Sequence, residues 1–186
     1  MEQLDAAFAK FKALVAEVTE HGYWDSISSE ADTRMKVIDR IFVEILGWPQ
    51  SEIHLESAAG TKFIDYRCTV ESLNRLIIEA KKEGRDLGIN PDHAARFFKL
   101  NGAVFSTEAA KEGIDQAVNY CAHKGAELAC VTNGRQWAIF RGAKGPDGTD
   151  ILEGQACVFG SLESVTKKFC FCLAPFRRRS GQAGLS

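Results

Sequence analysis

The sequence lacks the features that mark membrane and secreted proteins. No hydrophobic run approaches the roughly 18 residues that a membrane-spanning helix needs. The opening residues 1–5, MEQLD, are acidic and do not have the basic start and apolar centre of a signal peptide. We therefore expect an intracellular, cytoplasmic protein with no membrane partner.

Cysteine is also scarce for a disulfide-stabilised protein. Six cysteines in 186 residues are too few for a disulfide scaffold, and none of them belongs to a CxxC pair. A zinc site formed by Cys121, His123 and Cys130 stays formally open, although the usual spacing of zinc ligands is missing. The default expectation is a set of reduced, mostly buried thiols.

An excess of positive charge is missing as well. The formal net charge is −2, so no global basic field draws the chain to nucleic acid. Any positive charge that binds DNA or RNA must be local or come from a neighbour. No segment resembles a Walker A phosphate loop, so an ATP-driven step would belong to another domain or chain.

What the chain does have is the composition of one globular domain. Its hydrophobic fraction of 45 % and charged fraction of 26 % exclude a disordered chain, a collagen-like repeat and a coiled coil. A length of 186 residues fits a single domain. We expect an N-terminal helical extension over 1–27, the main domain over 28–174, and a basic, polar tail or linker over 175–186.

The hydrophobic pattern predicts an α/β fold with a central mixed β-sheet flanked by helices. Apolar residues three and four apart predict helices over 4–20, from the cap candidates Ser28 and Ser29 to Leu46, and over 107–123. Apolar runs and the Asn133-Gly134 turn predict strands over 53–56, 62–70, 75–81, 128–132 and 136–141. The remaining segments are an excursion over 84–106 with a short helix over 91–98, a loop over 142–155, and 161–174, which fits a helix or a strand.

Two acidic residues and a lysine stand out at the ends of the predicted central strands. Glu79 and Lys81 are two residues apart, so on a strand they face the same side, which Asp65 on the adjacent strand can also reach. The apolar residues 76–78 precede them, which places these charges where the sheet emerges from its core. Two carboxylates and a carbonyl oxygen suit Mg²⁺, and an ammonium group can orient water and offset charge on a phosphorus centre. This set is typical of phosphodiester hydrolysis; the alternative is a surface ion pair.

At these residues the chain resembles the PD-(D/E)XK nuclease superfamily. The segments FIDY (63–66) and IEAK (78–81) are similar to its D…(D/E)xK core, although isoleucine rather than proline precedes the aspartate. More narrowly, the chain resembles the N-terminal nuclease domain of type I restriction enzyme R subunits. This narrower, RecB-like resemblance covers roughly residues 28–141 and rests on EADTR (30–34), on QAVNY (116–120), which is similar to the QxxxY element, and on TNGRQW (132–137).

The resemblance implies a restriction-endonuclease-like core with a metal-dependent active site. It assigns the carboxylates of Asp65 and Glu79 and the carbonyl of Ala80 to Mg²⁺, for which Mn²⁺ is expected to substitute. Glu30 is placed near the metal, as a direct ligand or through a water molecule. Lys81 is placed beside the attacking water as a catalytic residue.

The resemblance also implies which residues position the nucleic acid. Gln116 is assigned to catalysis and to nucleic-acid binding, and Tyr120 and Arg34 are assigned to nucleic-acid binding. Gln116 and Tyr120 share one face of a helix because they are one turn apart. The alternatives are a half-buried structural tyrosine and a simple i,i+4 helix pair between Glu30 and Arg34.

The function implied is that of an Mg²⁺-dependent DNA endonuclease domain, as the nuclease module of a larger prokaryotic defence protein of the restriction or antiviral type. The implied partners are DNA and a further domain or subunit such as an NTPase or sensor module, and a homo-oligomer is left open. The alternatives are a nuclease of repair or recombination and a non-cleaving module that binds nucleic acid or a partner. The presence of Asp65, Glu79 and Lys81 argues against the non-cleaving module, because a dead site has no chemical reason to keep all three.

Overall fold

The helices and strands follow the predicted pattern over most of the chain. The structure is a computed structural model that describes residues 2–20, 22–59, 62–145 and 148–169. Its helices are α1 (Glu2–Glu20), α2 (Glu30–Thr33, continued by π-helical turns over Arg34–Ile38 and Arg40–Ile45), α3 (Glu108–Lys124) and α4 (Leu162–Thr166). Its strands are β1 (Ile53–Ala59), β2 (Lys62–Val70), β3 (Leu73–Ala80), β4 (Ala94–Lys99), β5 (Leu128–Thr132), β6 (Trp137–Arg141) and β7 (Gln155–Phe159).

Within the described residues, seven strands form one mixed sheet in the order β1-β2-β3-β5-β6-β7-β4. Strands β3 and β5 are parallel, with α3 in the connection between them, and the other neighbouring strands are antiparallel. Parallel pairing brings the carboxyl ends of β3 and β5 to the same edge, with Ala80 beside Thr132. The predicted α/β class with a mixed central sheet is confirmed, and the arrangement is consistent with a restriction-endonuclease-like core.

Helices cover both faces of the sheet, and the alternation of side chains along each strand decides which helix a residue meets. In β3, Leu76 and Ile78 belong to the buried cluster that contains residues of α1 and α2. Ile77, which lies between them, belongs to the cluster beneath α3. All three side chains are at most 1 % exposed. The continuous apolar run in the sequence therefore has a simple cause, since a strand covered on both faces cannot alternate with polar residues.

Helix α1 packs into the same buried cluster as α2 and the sheet. Phe11, Leu14 and Val18 are buried there, and the Phe11 ring centroid is 5.1 Å from that of Phe169. The division into an extension over 1–27 and a main domain over 28–174 stays a prediction. The predicted tail over 175–186 lies outside the described residues.

The prediction of a short helix over 91–98 is wrong. This segment contains β4, which pairs antiparallel with β7 at one edge of the sheet. The run AARFFK combines two phenylalanines, which favour strands, with alanine, arginine and lysine, which favour helices, so its local preference is divided and pairing with a distant segment decides its conformation. Ala95 has a φ of 55° where the β4–β7 register shifts, which marks a bulge.

The C-terminal part of the described chain refines two further expectations. Gln155, at the end of the predicted loop, is the first residue of β7. Gly160 follows β7, and a side chain there would overlap the Asn90 carbonyl oxygen, so the close approach of the two segments requires glycine. In 161–174, Ser161 caps the short helix α4, while 170–174 lie outside the described residues. No helix in the described part of the chain combines the length and apolar character needed to cross a membrane.

Candidate active site

The site predicted from the sequence lies at the carboxyl end of β3. Glu79 pairs with Val131 and Ala80 with Thr132 along the parallel β3–β5 ladder. The backbone amide of Lys81 extends this ladder by donating to the Thr132 carbonyl oxygen at 2.7 Å. Because side chains alternate along a strand, Glu79 and Lys81 face the same side of the sheet, the side covered by α3.

Asp65 joins the site from the neighbouring antiparallel strand β2. Tyr66 pairs with Ile78, so the next position along this register brings Asp65 across from Glu79. The Asp65 Oδ2 atom accepts a hydrogen bond from the Ala80 amide at 2.8 Å. The two acidic residues selected from the sequence thus lie together.

The Lys81 ammonium group is held by two hydrogen-bond acceptors and lies near a third oxygen. Its Nζ atom donates to Glu79 Oε1 at 2.9 Å and to Gln116 Oε1 at 2.6 Å, and it lies 3.7 Å from Glu112 Oε1. Lys81 is 7 % exposed and Glu79 is 4 % exposed. A buried charge is costly unless it is paired, so this lysine is fixed beside Glu79 by its contacts with the strand and with α3.

Burial perturbs the titration of both central carboxyl groups. The pKa of Glu79 is raised to about 7, mainly by burial and also by the nearby Asp65 charge, while the contact with Lys81 acts in the opposite direction. Burial also raises the pKa of Asp65, against the opposing effects of the Ala80 hydrogen bond and the Arg34 and Lys81 charges. Two carboxylates placed this close are therefore under-compensated by the cations around them.

Helix α2 brings two further predicted residues to the same end of the sheet. Ser29 is the N-cap of α2 and forms a capping box with Asp32, so the first residue of the helix is Glu30. Burial raises the pKa of Glu30, and the Asp65 charge raises it further, so these two carboxyl groups are near each other. Arg34, one turn later, places Nη1 3.5 Å from Asp65 Oδ1.

Helix α3 supplies the predicted pair Gln116 and Tyr120 from the opposite face. Gln116 contacts Lys81, as described, and Tyr120 is 4 % exposed. The pKa of the Tyr120 phenol is raised to about 12 by burial and by the charges of Glu79 and Asp65. The face of α3 that carries these two residues is therefore directed at the acidic pair.

Two acidic residues near the site were not singled out from the sequence. Glu112 lies one turn before Gln116 on the same helix face, and that spacing is a signal that could have identified it. Glu56 in β1 lies 3.7 Å from Arg34 and its charge raises the pKa of Asp65. No local pattern identifies Glu56, because its position depends on how β1 pairs with β2.

Two buried amides hold the segment that follows Lys81. The Asn133 side chain donates to the Arg85 carbonyl oxygen at 2.9 Å. The Gln136 side chain accepts from the Leu87 amide at 2.7 Å and donates to the Ile89 carbonyl oxygen at 2.7 Å. The TNGRQW hairpin therefore does more than reverse the chain, since it anchors the beginning of the 84–106 segment.

The zinc alternative is wrong for the three residues considered. Cys121 belongs to the buried cluster beneath α3, whereas Cys130 belongs to the cluster on the other face of the sheet. His123 is exposed on α3. The described cysteines, Cys68, Cys121, Cys130 and Cys157, are free thiols, and burial raises the pKa of each. Cys170 and Cys172 lie outside the described residues.

Comparisons with known proteins do not establish a family for the chain. No protein-family model matches it, and no curated protein matches it. Among solved structures, it is similar to a type IIG restriction endonuclease, BpuSI, with 15 % sequence identity and a TM-score of 0.30. The match covers 56 % of this chain and 10 % of that chain.

The donor set of the site suits a hard divalent cation. Glu79 Oε2 is buried and accepts no hydrogen bond from the described residues, although Lys81 pairs with the other oxygen of the same carboxyl group. Within the described ranges, no group of three or more histidine, cysteine, aspartate or glutamate side chains is arranged to hold a metal ion. A fully protein-built cage is therefore not indicated there, but Mg²⁺ is commonly held by one or two carboxylates and completes its shell with waters. The acidic pair Asp65 and Glu79 fits that mode.

Proposed function

We propose that this chain is a metal-dependent phosphodiester hydrolase that cuts DNA internally. The observation that carries the proposal is the unpartnered Oε2 atom of buried Glu79, next to Asp65 and to the fixed ammonium group of Lys81. A buried ion pair with one carboxylate oxygen left unsatisfied has no evident structural advantage, since replacing such groups with apolar ones often stabilises a protein. The arrangement is understandable if a cation and a phosphate complete it.

In this proposal Mg²⁺ is held by the carboxylates of Asp65 and Glu79 and the carbonyl oxygen of Ala80, with Glu30 near it through water. When bound, the metal supplies Lewis-acid activation at the scissile phosphate, and Mn²⁺ substitutes for it because both ions prefer oxygen ligands. Asp65 is already oriented by its hydrogen bond from the Ala80 amide. This pre-orientation reduces the reorganisation that metal binding requires.

Lys81 and the face of α3 act on the substrate. The Lys81 ammonium group orients the attacking water and offsets the negative charge that grows on the phosphorus centre. Gln116 holds Lys81 through its Oε1 atom, which leaves its amide NH₂ group to donate to a phosphate oxygen. Arg34 and the small exposed part of the largely buried Tyr120 face the nucleic acid beside it, so that the scissile strand is positioned between α2 and α3.

We further propose that the chain works as the nuclease module of a larger prokaryotic defence protein or assembly. The support is the order of the motifs along the sequence, which resembles restriction nuclease domains, and the formal net charge of −2. Because affinity for duplex DNA comes mainly from cationic contacts with phosphate, a chain with this charge needs further domains, such as an NTPase or sensor module, to hold DNA.

A plasmid-nicking assay tests the activity. At low salt, where contacts with phosphate are strongest, the chain is expected to nick supercoiled plasmid with Mg²⁺ and to stop when EDTA is added. Lys81→Met is expected to lose cleavage by at least about 10²-fold, a typical size for loss of such a group. Lys99→Met, on the exposed side of edge strand β4, is the matched control and should cut like the wild type. Single-stranded RNA offered in parallel tests the choice of nucleic acid.

Two results would contradict the proposal. The first is cleavage that persists unchanged in EDTA, since the acidic pair would then have no metal to hold. The second is a Lys81→Met variant that melts like the wild type and cuts at the wild-type rate. Melting curves for both lysine variants are part of the experiment, because they separate loss of activity from loss of the fold.

A further inference from the structure

The acidic residues of the site form a row across three strands. The register pairs Leu55 with Tyr66 and Ser57 with Ile64, so Glu56 lies across from Asp65 on β1. On the other side of Asp65, the β2–β3 register continues to Glu79, as described above. The row runs from an exposed glutamate at the edge of the sheet to a buried glutamate in its interior.

Arg34 bridges the first two members of this row. Its Nη1 atom is 3.5 Å from Asp65 Oδ1 and 3.7 Å from Glu56 Oε1. Both separations exceed the roughly 2.7–2.9 Å of a strong charge-assisted hydrogen bond. Arg40, on the same helix, shows the contrast, because its two contacts with Glu17 are 2.9 and 2.8 Å. Arg34 is therefore shared between two carboxylates and not locked to either.

The surroundings of Arg34 allow a small displacement in one direction. Its guanidinium carbon lies 5.2 Å from the centroid of the Tyr66 ring, and Tyr66 is fixed by a 2.8 Å hydrogen bond to Asp39. The side chain of Asp65 is 15 % exposed, whereas that of Glu56 is 70 % exposed. Movement of the guanidinium group away from Asp65 towards Glu56 is therefore movement from the interior towards solvent.

The backbone at Glu56 is unusual for its residue type. Glu56 has a φ of 50°, in the left-handed region that residues other than glycine rarely adopt, although it lies within a strand. Such a conformation is strained for a residue with a Cβ atom and persists where the surrounding structure or a function maintains it. Here it occurs at the single position of β1 that faces Asp65 across the strand pair.

We propose that Arg34 is an exchangeable counter-ion that occupies the cation side of Asp65 until a divalent metal binds, and that Glu56 receives it when the metal arrives. This inference rests on the proposed metal site. Arg34 competes with the metal for Asp65, and Glu56 reduces the cost of that competition by offering the displaced guanidinium group a second carboxylate. Arg34 thereby moves to the exposed edge of the sheet, where a phosphate of the substrate is within its reach.

Metal binding without DNA tests the competition. Binding of Mn²⁺ to the whole chain is measured by isothermal titration calorimetry for the wild type, Arg34→Met and Arg40→Met. Arg34→Met is expected to bind Mn²⁺ about tenfold more tightly, or more, because a unit charge at this separation changes an interaction by at least that factor at partly buried sites. Arg40→Met removes an arginine of the same helix whose ion pairs are with Glu17 and Glu44, and its Kd should equal that of the wild type.

A double-mutant cycle tests the role of Glu56. Glu56→Gln alone is expected to weaken Mn²⁺ binding several-fold, since the displaced arginine then has no second partner. In the Arg34→Met background the same substitution should have little effect, because no guanidinium group remains to be received. An equal loss in both backgrounds would mean that Glu56 acts on the metal directly, and the exchange would be overturned.

The outcomes separate this inference from the proposed function. Equal Mn²⁺ affinity in the wild type and Arg34→Met would overturn the exchange and leave the metal site intact. Absence of Mn²⁺ binding in the wild type and in every variant would overturn both proposals. Asp65→Asn, which keeps the shape of the side chain, should weaken Mn²⁺ binding, and adding Arg34→Met to it should restore little of the affinity, because Arg34 and the metal then have no shared carboxylate.

Discussion

At the scale of single residues, charge compensation governs the behaviour of the site. Glu79, Asp65 and Glu30 lie near one another with Lys81 and Arg34 as the adjacent cations, and burial raises the pKa of all three carboxyl groups. Removing charged groups from water is costly, and their mutual repulsion adds to that cost. The site therefore stores unfavourable energy that a bound cation would release.

The pH dependence of stability should report this cost at Glu79. Its pKa is raised from about 4.5 to about 7, so the folded protein holds the proton more tightly than the unfolded chain does. The bound proton contributes stability that is complete below about pH 4.5 and is lost as the pH rises to about 7. We expect Glu79→Gln to flatten this part of a plot of Tm against pH, measured in EDTA. The control is Glu127→Gln, at an exposed ion pair, which should keep the wild-type slope of Tm against pH. If Glu79→Gln also keeps that slope, the prediction is refuted.

Gln116 should affect cleavage more than folding. It is half-buried, and it contacts Lys81 without holding any other described element in place. Because a displacement of about an ångström in a reacting group costs on the order of 10²-fold in rate, we expect Gln116→Ala to reduce plasmid nicking by about that factor. Its Tm should stay close to that of the wild type, and Tyr120→Phe should lose less activity if ring contacts matter more than the hydroxyl group.

The matched control for Gln116 is Asn119→Ala on the exposed side of the same helix. It removes an amide of similar size and should leave both cleavage and Tm unchanged. A large fall in Tm for Gln116→Ala with the rate per folded molecule preserved would make the residue structural, and its role in positioning the substrate would be lost.

At the scale of elements, the distance between α3 and β5 determines where Lys81 lies. Gly113 faces the sheet, and a Cβ atom at this position would come within 2.6 Å of Val131 Cγ1 and 3.5 Å of Lys81 Cε. The absence of a side chain lets the helix approach closely enough for Gln116 to contact Lys81. The absence of a methyl group at position 113 therefore permits both the close packing of α3 and the contact between Gln116 and Lys81.

Gly113→Ala should lower stability and activity together. Overpacking of a tight interface typically costs about 1–3 kcal/mol, which for a domain of this size lowers Tm by several degrees. We expect the double variant Gly113→Ala, Val131→Ala to recover part of the lost Tm in thermal denaturation, because the clashing Cγ1 atom is removed. If the single variant melts like the wild type, the helix does not approach the strand as closely as described.

At the scale of the whole molecule, the central sheet brings α2 and α3 together at one end of β3. Helix α2 covers one face and carries Glu30 and Arg34, while α3 covers the other face and carries Gln116 and Tyr120. The acidic pair lies between them on the two strands. The site is therefore a product of the layered architecture, and no single element contains it.

The charge of the whole chain leads to a prediction about DNA. With a formal net charge of −2, residues 1–186 alone should bind duplex DNA weakly, and the affinity should fall further as salt is raised. Fluorescence anisotropy with a labelled duplex at 50 and about 150 mM salt measures this. Tight, salt-insensitive binding by this chain would show that it does not need a further domain to hold its substrate.

The sequence by itself determined the elements with strong local patterns and the central residues of the candidate site. Strand β2 coincides with the predicted 62–70, the cap candidate Ser29 begins α2 where it was expected, and α3 (Glu108–Lys124) lies within one residue of the predicted 107–123. Asp65, Glu79 and Lys81 could be selected because their spacing and their apolar neighbours are visible along the chain. These are properties of neighbouring residues, which local periodicity records.

Only the tertiary structure decided which distant residues lie at the candidate site. Strand β4 forms because β7 pairs with it, Glu56 reaches Asp65 because β1 pairs with β2, and Gly113 matters because α3 lies against β5. Asn133 and Gln136 hold the segment after Lys81 through bonds that span distant parts of the chain. The physical reason is the same in each case. These interactions depend on strand register and on packing between elements, and a local sequence pattern does not record either of them.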